Sequence, residues 1–178
     1  MKLIKTILPD IIHLRTDVHS DRRGQFTETY RKERYADMGI KDIFVQDNLV
    51  RSVKHVFRGL HFQLPPFEQA KLITVISGQI LDVALDLRKD SQTYLKTELI
   101  NLSAEDHDQL YIPAGFAHGY YVTSQEALIS YKVSSPYTPD HQGGVRWDSP
   151  EMGLIEVLRE PILSEQDKYL PFLNDLLS

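Results

Sequence analysis

Between residues 72 and 87 the chain reads LITVISGQILDVALDL, two runs of Val, Ile and Leu separated by Ser77, Gly78 and Gln79. Branched aliphatic runs of this length around a glycine predict two strands joined as a hairpin. In the second run Ile80, Asp82, Ala84 and Asp86 alternate with Leu81, Val83, Leu85 and Leu87. That period of two predicts one face toward water and one toward the core. Shorter strand patterns follow at 96–102, 109–112, 118–123 and 127–133. Turn residues punctuate them: Lys89-Asp90-Ser91, Ser103-Ala104-Glu105-Asp106, Pro113-Ala114-Gly115 and Ser124-Gln125-Glu126. Many short strands at such spacing predict an all-β sandwich or barrel.

Helical patterns are confined to the ends. Residues 31–38 have helix-forming composition and stop at Gly39. Ser164 is placed to cap a short helix running through Glu165, Gln166 and Asp167 to Leu170, before Pro171. The chain shows no repeat, low-complexity stretch or linker, so residues 1–178 are read as one domain.

Composition narrows the chemistry. The net charge is −5 and the Lys and Arg residues are scattered, which excludes the basic face of a nucleic-acid binder. A few focused arginines still allow an anionic small ligand. With no cysteine in its 178 residues, the protein has neither disulfides, thiol nucleophiles nor thiolate zinc sites. The N-terminal apolar positions are broken by Lys5, Pro9, Asp10 and His13, and no run approaches the roughly 20 apolar residues of a spanning helix. The expected location is the cytoplasm. Neither a glycine-rich phosphate loop nor a dinucleotide fingerprint is present, so no cofactor is expected.

Eight segments, in order, resemble the dTDP-4-dehydrorhamnose 3,5-epimerase family. They are Asp21-Arg22-Arg23-Gly24-Gln25-Phe26-Thr27-Glu28, Val45-Gln46-Asp47-Asn48, Arg58-Gly59-Leu60-His61-Phe62-Gln63 and Gln69-Ala70-Lys71-Leu72. The others are residues 111–119 (YIPAGFAHG), Tyr131-Lys132 with Tyr137 six residues after Tyr131, residues 144–148 (GVRWD) and residues 162–167 (ILSEQD). The resemblance implies a cupin-type jelly roll with short terminal helices, and epimerisation at C3, C5 or both of a nucleotide-linked 4-keto-6-deoxy sugar. A short N-terminal extension is expected, with its segment crossing to a partner subunit in a homodimer.

Epimerisation beside a ketone needs a base, an acid on the other face, and a group that steadies the enolate. A histidine suits the base, since its ordinary pKa lies near 6.5 and a carboxylate orients it. The resemblance assigns that role to His61 with Asp167, the acid to Tyr131, and the oxyanion cation to Lys71. It assigns substrate binding to Arg23 and Arg58 (pyrophosphate), Phe26 and Glu28 (base), Gln46 and Asn48, and to His118 and Tyr137. Outside this context a strand histidine or tyrosine more often fills a core, and Lys71 would be a solvated strand lysine.

Metal-binding cupins carry two histidines one residue apart; here Gln63 stands where the second would be, so no metal is expected. Asp106, His107 and Asp108 read as a solvated turn. Three positions depart from the family pattern: Ile155-Glu156-Val157-Leu158, Gln166 and Gln142. They are expected around a C-terminal flap near the pocket, where they bear on whether one or both carbons invert. A 3,4-ketoisomerase would show paired histidines in the pocket strand, and a non-catalytic cupin would have lost the base or the acid; neither pattern is met.

Overall fold

The computed structural model describes residues 1–176. The first half of the chain forms β1 (Lys2–Ile4), β2 (Ile12–Arg15), β3 (Val18–Asp21), β4 (Gly24–Thr27), α1 (Lys32–Asp37), β5 (Gln46–Val53), β6 (Phe57–Gln63) and β7 (Lys71–Ser77). The second half forms β8 (Gln79–Asp86), β9 (Thr97–Ser103), β10 (Asp108–Ile112), β11 (Phe116–Val122), β12 (Glu126–Val133), β13 (Gln142–Gly144) and α2 (Glu165–Lys168). A six-stranded sheet in the order β1-β2-β10-β7-β12-β5 faces a five-stranded sheet in the order β13-β6-β11-β8-β9, and β3 pairs with β4 apart from both. This is the expected all-β jelly roll with short helices near its ends.

Three apolar layers follow from the two-residue period. Between the sheets, Ile73, Leu110 and Ile129 of the six-stranded sheet meet Ile80, Leu102, Phe116 and Val122 of the other. Outside the six-stranded sheet, Tyr35 of α1 and Ile40 cover Leu14, Leu72 and Tyr111. Outside the five-stranded sheet, Val145, Met152, Leu154, Leu158 and Leu173 cover Leu81, Val83 and Leu85. Removing a fully buried ring such as Phe57 from such a layer costs about 3–5 kcal/mol.

The structure corrects several expectations. β7 and β8 are not a hairpin: β7 pairs with β10 and β12, and β8 with β11 and β9. One residue, Gly78, separates them, whereas the tightest hairpin loops use two. Its φ of +81° turns the chain from one sheet to the other, and a Cβ there would lie 2.1 Å from the Glu126 carbonyl oxygen. Nor does β8 show a wet face. Asp82 and Asp86 are 1% and 0% exposed beside Ile80 and Ala84. The opposite, aliphatic face lies under the C-terminal segment, which the local alternation does not reveal.

The N-terminal stretch is part of the main sheet through β1 and β2 rather than an extension. Asp108 is buried at the start of β10, where it accepts from Arg15 Nε at 2.9 Å and pairs with His13. It is therefore a structural ion-pair partner, not part of a solvated turn. Finally, residues 155–158 lie away from the cavity: Leu158 is buried in the outer layer and Ile155 and Val157 face solvent.

Candidate active site

A cavity of about 550 Å³ opens between the two sheets, with Val50, Val56, Ile73 and Ile129 supplying apolar wall. Polar groups converge on it from both sides. β6 supplies Arg58 and His61 and β11 supplies His118 and Tyr120; across the interior, β7 supplies Lys71 and β12 supplies Tyr131. Side chains at every second residue of these strands point inward, so the spacing Lys71, Ile73 or Ile129, Tyr131 carries the apolar wall into its polar end. Tyr137, Gln142, Gln166 and Asp167 close the rim.

His61 Nε2 lies 2.6 Å from Asp167 Oδ1, across 106 residues of sequence. The parallel bridge between Val56 and Ile162 brings the C-terminal segment alongside β6, and Ser164 caps α2 by accepting from Asp167 N at 3.1 Å. Burial pushes the Asp167 carboxyl up, yet hydrogen bonds from His61, Ser164 and Gly59 outweigh it and leave it below its ordinary value. An ionised carboxylate only accepts, so His61 holds its proton on Nε2 and keeps the Nδ1 lone pair. With its side chain 32% exposed, the imidazole is reachable.

Lys71 is buried, and its ammonium reaches the His61 carbonyl at 3.4 Å. Burial pulls the amine down to about 8, against the raising effect of the Asp82 charge. Burial likewise raises the Tyr131 phenol, which Arg58 partly counters, so the hydroxyl holds its proton at neutral pH. His118 Nε2 lies 2.9 Å from Asp82 Oδ2, and burial is the largest effect lowering its affinity for a proton. Arg58 is exposed, with Nε donating to Ser52 Oγ at 3.1 Å.

Seven of the twelve proposed site residues therefore line one cavity: His61, Asp167, Tyr131, Lys71, Arg58, His118 and Tyr137. Five do not. Gln46 and Asn48 stand behind the rim: Gln46 accepts from Tyr137 N at 3.1 Å and donates to Asn48 Oδ1 at 2.9 Å. Arg23, its side chain 85% exposed, is held by Asp21 on the β3–β4 hairpin. Phe26 is exposed on the same hairpin, and Glu28 accepts from Arg34 at 3.1 Å.

One contributor, Asp82, escaped the sequence reading, while Gln142, expected near the pocket, lies on its rim. Asp82 sits beneath His118, and its only signal was a carboxylate inside an aliphatic strand. Gln142 accepts from the Tyr137 hydroxyl at 2.7 Å. Gln63, in the position of a second cupin histidine, spends its amide on backbone: it donates to Phe67 O at 2.6 Å and Pro136 O at 3.1 Å and accepts from Thr138 N at 2.7 Å. Among the described residues no group of three or more His, Asp or Glu is arranged to hold a metal ion. No helix among them is long and apolar enough to cross a membrane.

An imidazole and a phenol thus line one cavity from opposite sheets, and the Lys71 ammonium lines it too. Chains of known kind share this framework. The family model described as dTDP-4-dehydrorhamnose 3,5-epimerase matches residues 5–175. The dTDP-4-dehydrorhamnose 3,5-epimerase of Methanothermobacter thermautotrophicus is 41% identical over 170 residues, covering 94% of this chain and 91% of its own. A crystal structure of the Bacillus anthracis enzyme of that name, with TDP and PPi bound, superposes with a TM-score of 0.93 at 42% identity, covering 97% of this chain and 99% of the other. A Legionella pneumophila epimerase in complex with dTDP-4-keto-L-rhamnose gives 0.92 at 37% identity, covering 97% and 93%. With the matched model spanning nearly all of it, this chain belongs to the dTDP-4-dehydrorhamnose 3,5-epimerase family.

Proposed function

We propose that this protein inverts the carbons flanking the ketone of a dTDP-linked 4-keto-6-deoxy sugar, dTDP-4-keto-6-deoxyglucose being the substrate. The observation that carries the reading is the placement of His61 and Tyr131 on facing sheets of one cavity, which Lys71, buried on the strand next to that of Tyr131, also lines. His61 Nδ1 removes the proton from the carbon beside the C4 ketone. The electron pair moves onto the ketone oxygen, where the Lys71 ammonium meets the developing charge. Tyr131 then returns a proton to the opposite face of the same carbon, which inverts it. Asp167 orients His61 and supports its imidazolium. Relatives of this chain bind TDP and a dTDP-keto sugar, which supports the nucleotide assignment.

Arg58 meets the pyrophosphate, while His118, Tyr137, Gln46 and Asn48 place the sugar and phosphates. Arg23, Phe26 and Glu28 serve the pocket of a partner subunit: the exposure of Arg23 and Phe26 on a hairpin apart from both main sheets, with Glu28 directly after it, suits a segment exchanged in a homodimer. The whole chain acts as one catalytic domain, working in the cytoplasm.

Proton NMR of dTDP-4-keto-6-deoxyglucose with the protein in heavy water tests the chemistry. Deuterium at both C3 and C5 is the expected result. Entry at one carbon makes the protein a mono-epimerase, with Gln142 and Gln166 at the rim as the suspects, and no exchange with this sugar sinks the reading. The exchanged segment is tested by mixing inactive Arg23→Ala and His61→Ala proteins after unfolding and refolding together. Heterodimers regain activity if Arg23 serves the partner's pocket, and stay inactive if it serves its own.

A further inference from the structure

Asp82 is the unassigned charge closest to this chemistry. It lies on β8, 1% exposed, in the layer between the sheets. One carboxylate oxygen accepts from His118 Nε2 at 2.9 Å. The other, Oδ1, is buried without a partner, an unusual state for a charged acceptor. Nearby, Lys71 has three donors and spends one, weakly, on the His61 carbonyl at 3.4 Å. A buried ammonium stays charged only where an opposite charge compensates for lost water.

The groups that share the cavity with Lys71 identify that charge. β6 presents Arg58 and His61, β11 presents His118 and Tyr120, and β12 presents Tyr131. Each of these is cationic, neutral or phenolic. α2 presents Asp167, already engaged by His61, Ser164 and Gly59. Asp82 on β8 is the carboxylate whose charge bears on Lys71, and it also bears on His118.

We propose that Asp82 is a positioning residue of the epimerisation: its carboxylate is the fixed counter-charge of Lys71 and the anchor that holds His118 Nε2–H. The inference rests on the proposed enolate chemistry, because an oxyanion needs Lys71 as an ammonium rather than an amine. It separates Asp82 from Asp167, which acts through His61. It also explains why an aspartate interrupts an otherwise aliphatic strand.

Asp82→Asn tests the proposal, since the amide keeps the volume and an acceptor for His118 but removes the charge. The first readout needs no substrate: NMR titration of protein labelled at lysine Cε, with Lys71→Met identifying the resonance. Lys71 is expected to titrate near 8 in the parent and at least about one pH unit lower in Asp82→Asn, with Asp82→Glu recovering part of the shift. An unchanged Lys71 titration overturns the proposal whatever the activity.

The second readout is deuterium wash-in against pH. Asp82→Asn should lower kcat at least tenfold at pH 8 with KM changed less than threefold, and its alkaline limb should move to lower pH. A change in KM alone, or a profile parallel to the parent's, shows Asp82 to be structural. If Asp82→Asn does not fold, Asp82→Ser, which admits water in place of the carboxylate, is read by the same titration. A parent protein that exchanges no deuterium overturns the functional reading, while the titration still judges the electrostatic one.

Discussion

His61 with Asp167 and His118 with Asp82 are the same pair of groups built twice. Each joins an imidazole Nε2 to a carboxylate oxygen, at 2.6 and 2.9 Å, and the two histidines are direct cross-strand partners on β6 and β11. Their surroundings differ. The His61 side chain is 32% exposed, its carboxylate comes from a capped helix and also accepts a backbone hydrogen bond from Gly59 of β6, and its free nitrogen is open to a substrate. The His118 side chain is 10% exposed and lies beside the Lys71 ammonium, so burial, Lys71 and His61 all oppose a second positive charge there. A histidine–carboxylate pair is thus not a base by composition. It becomes one where the imidazole can gain a proton beside the substrate, and a binding group where burial and neighbouring cations oppose that proton.

Truncating the two histidines should break the comparison most visibly. His61→Ala is expected to lower deuterium exchange by about 10²–10⁴, the range of a lost general base, with dTDP affinity held within threefold. His118→Ala should act mainly on KM, leaving kcat within about tenfold. Equal loss of kcat in both variants, measured by NMR exchange and calorimetric dTDP binding, would erase the distinction.

Tyr131→Phe probes the facing wall. Proton abstraction by His61 should persist, so deuterium still enters with retained configuration, while inversion falls about 10²-fold. Inversion at the parent's rate would assign the acid elsewhere, with Tyr137 at the rim next in line.

The smallest expected effect concerns stability. The Asp167 carboxyl lies below its ordinary value in the folded state. Its contribution is therefore fully present above the unfolded value near 4 and is lost as pH falls through the lower folded value. Thermal melts between pH 2 and 5 should show a shallower acid decline for Asp167→Asn than for the parent. Parallel declines would mean that the first pair does not stabilise the fold.

How much of this was legible in the chain differs by feature. The strands at 96–102, 109–112, 118–123 and 127–133 are readable because short runs of aliphatic and aromatic residues bounded by turn residues are a local property. Ser164 as a cap was readable for the same reason, as its partner is three residues away. The failures share a cause. At Gly78 the local pattern states that the chain turns, not which sheet receives the next strand. At Asp82 local alternation suggests a wet face, and only the jelly roll shows that the alternate residues of β8 face the layer between the sheets.

The sequence by itself determined the strand-rich fold, the absence of thiol chemistry and, through ordered motifs, the residue types of a base, an acid and a cation. Tertiary structure alone decided that Asp82 meets His118, that Lys71 is buried rather than solvated, and that Arg23 stands outside its own chain's pocket. The reason is physical. Periodicity and capping are set by neighbours along the chain, whereas proton affinity and reach are set by what lies within a few ångströms in space, and the fold gathers those neighbours from strands far apart in sequence.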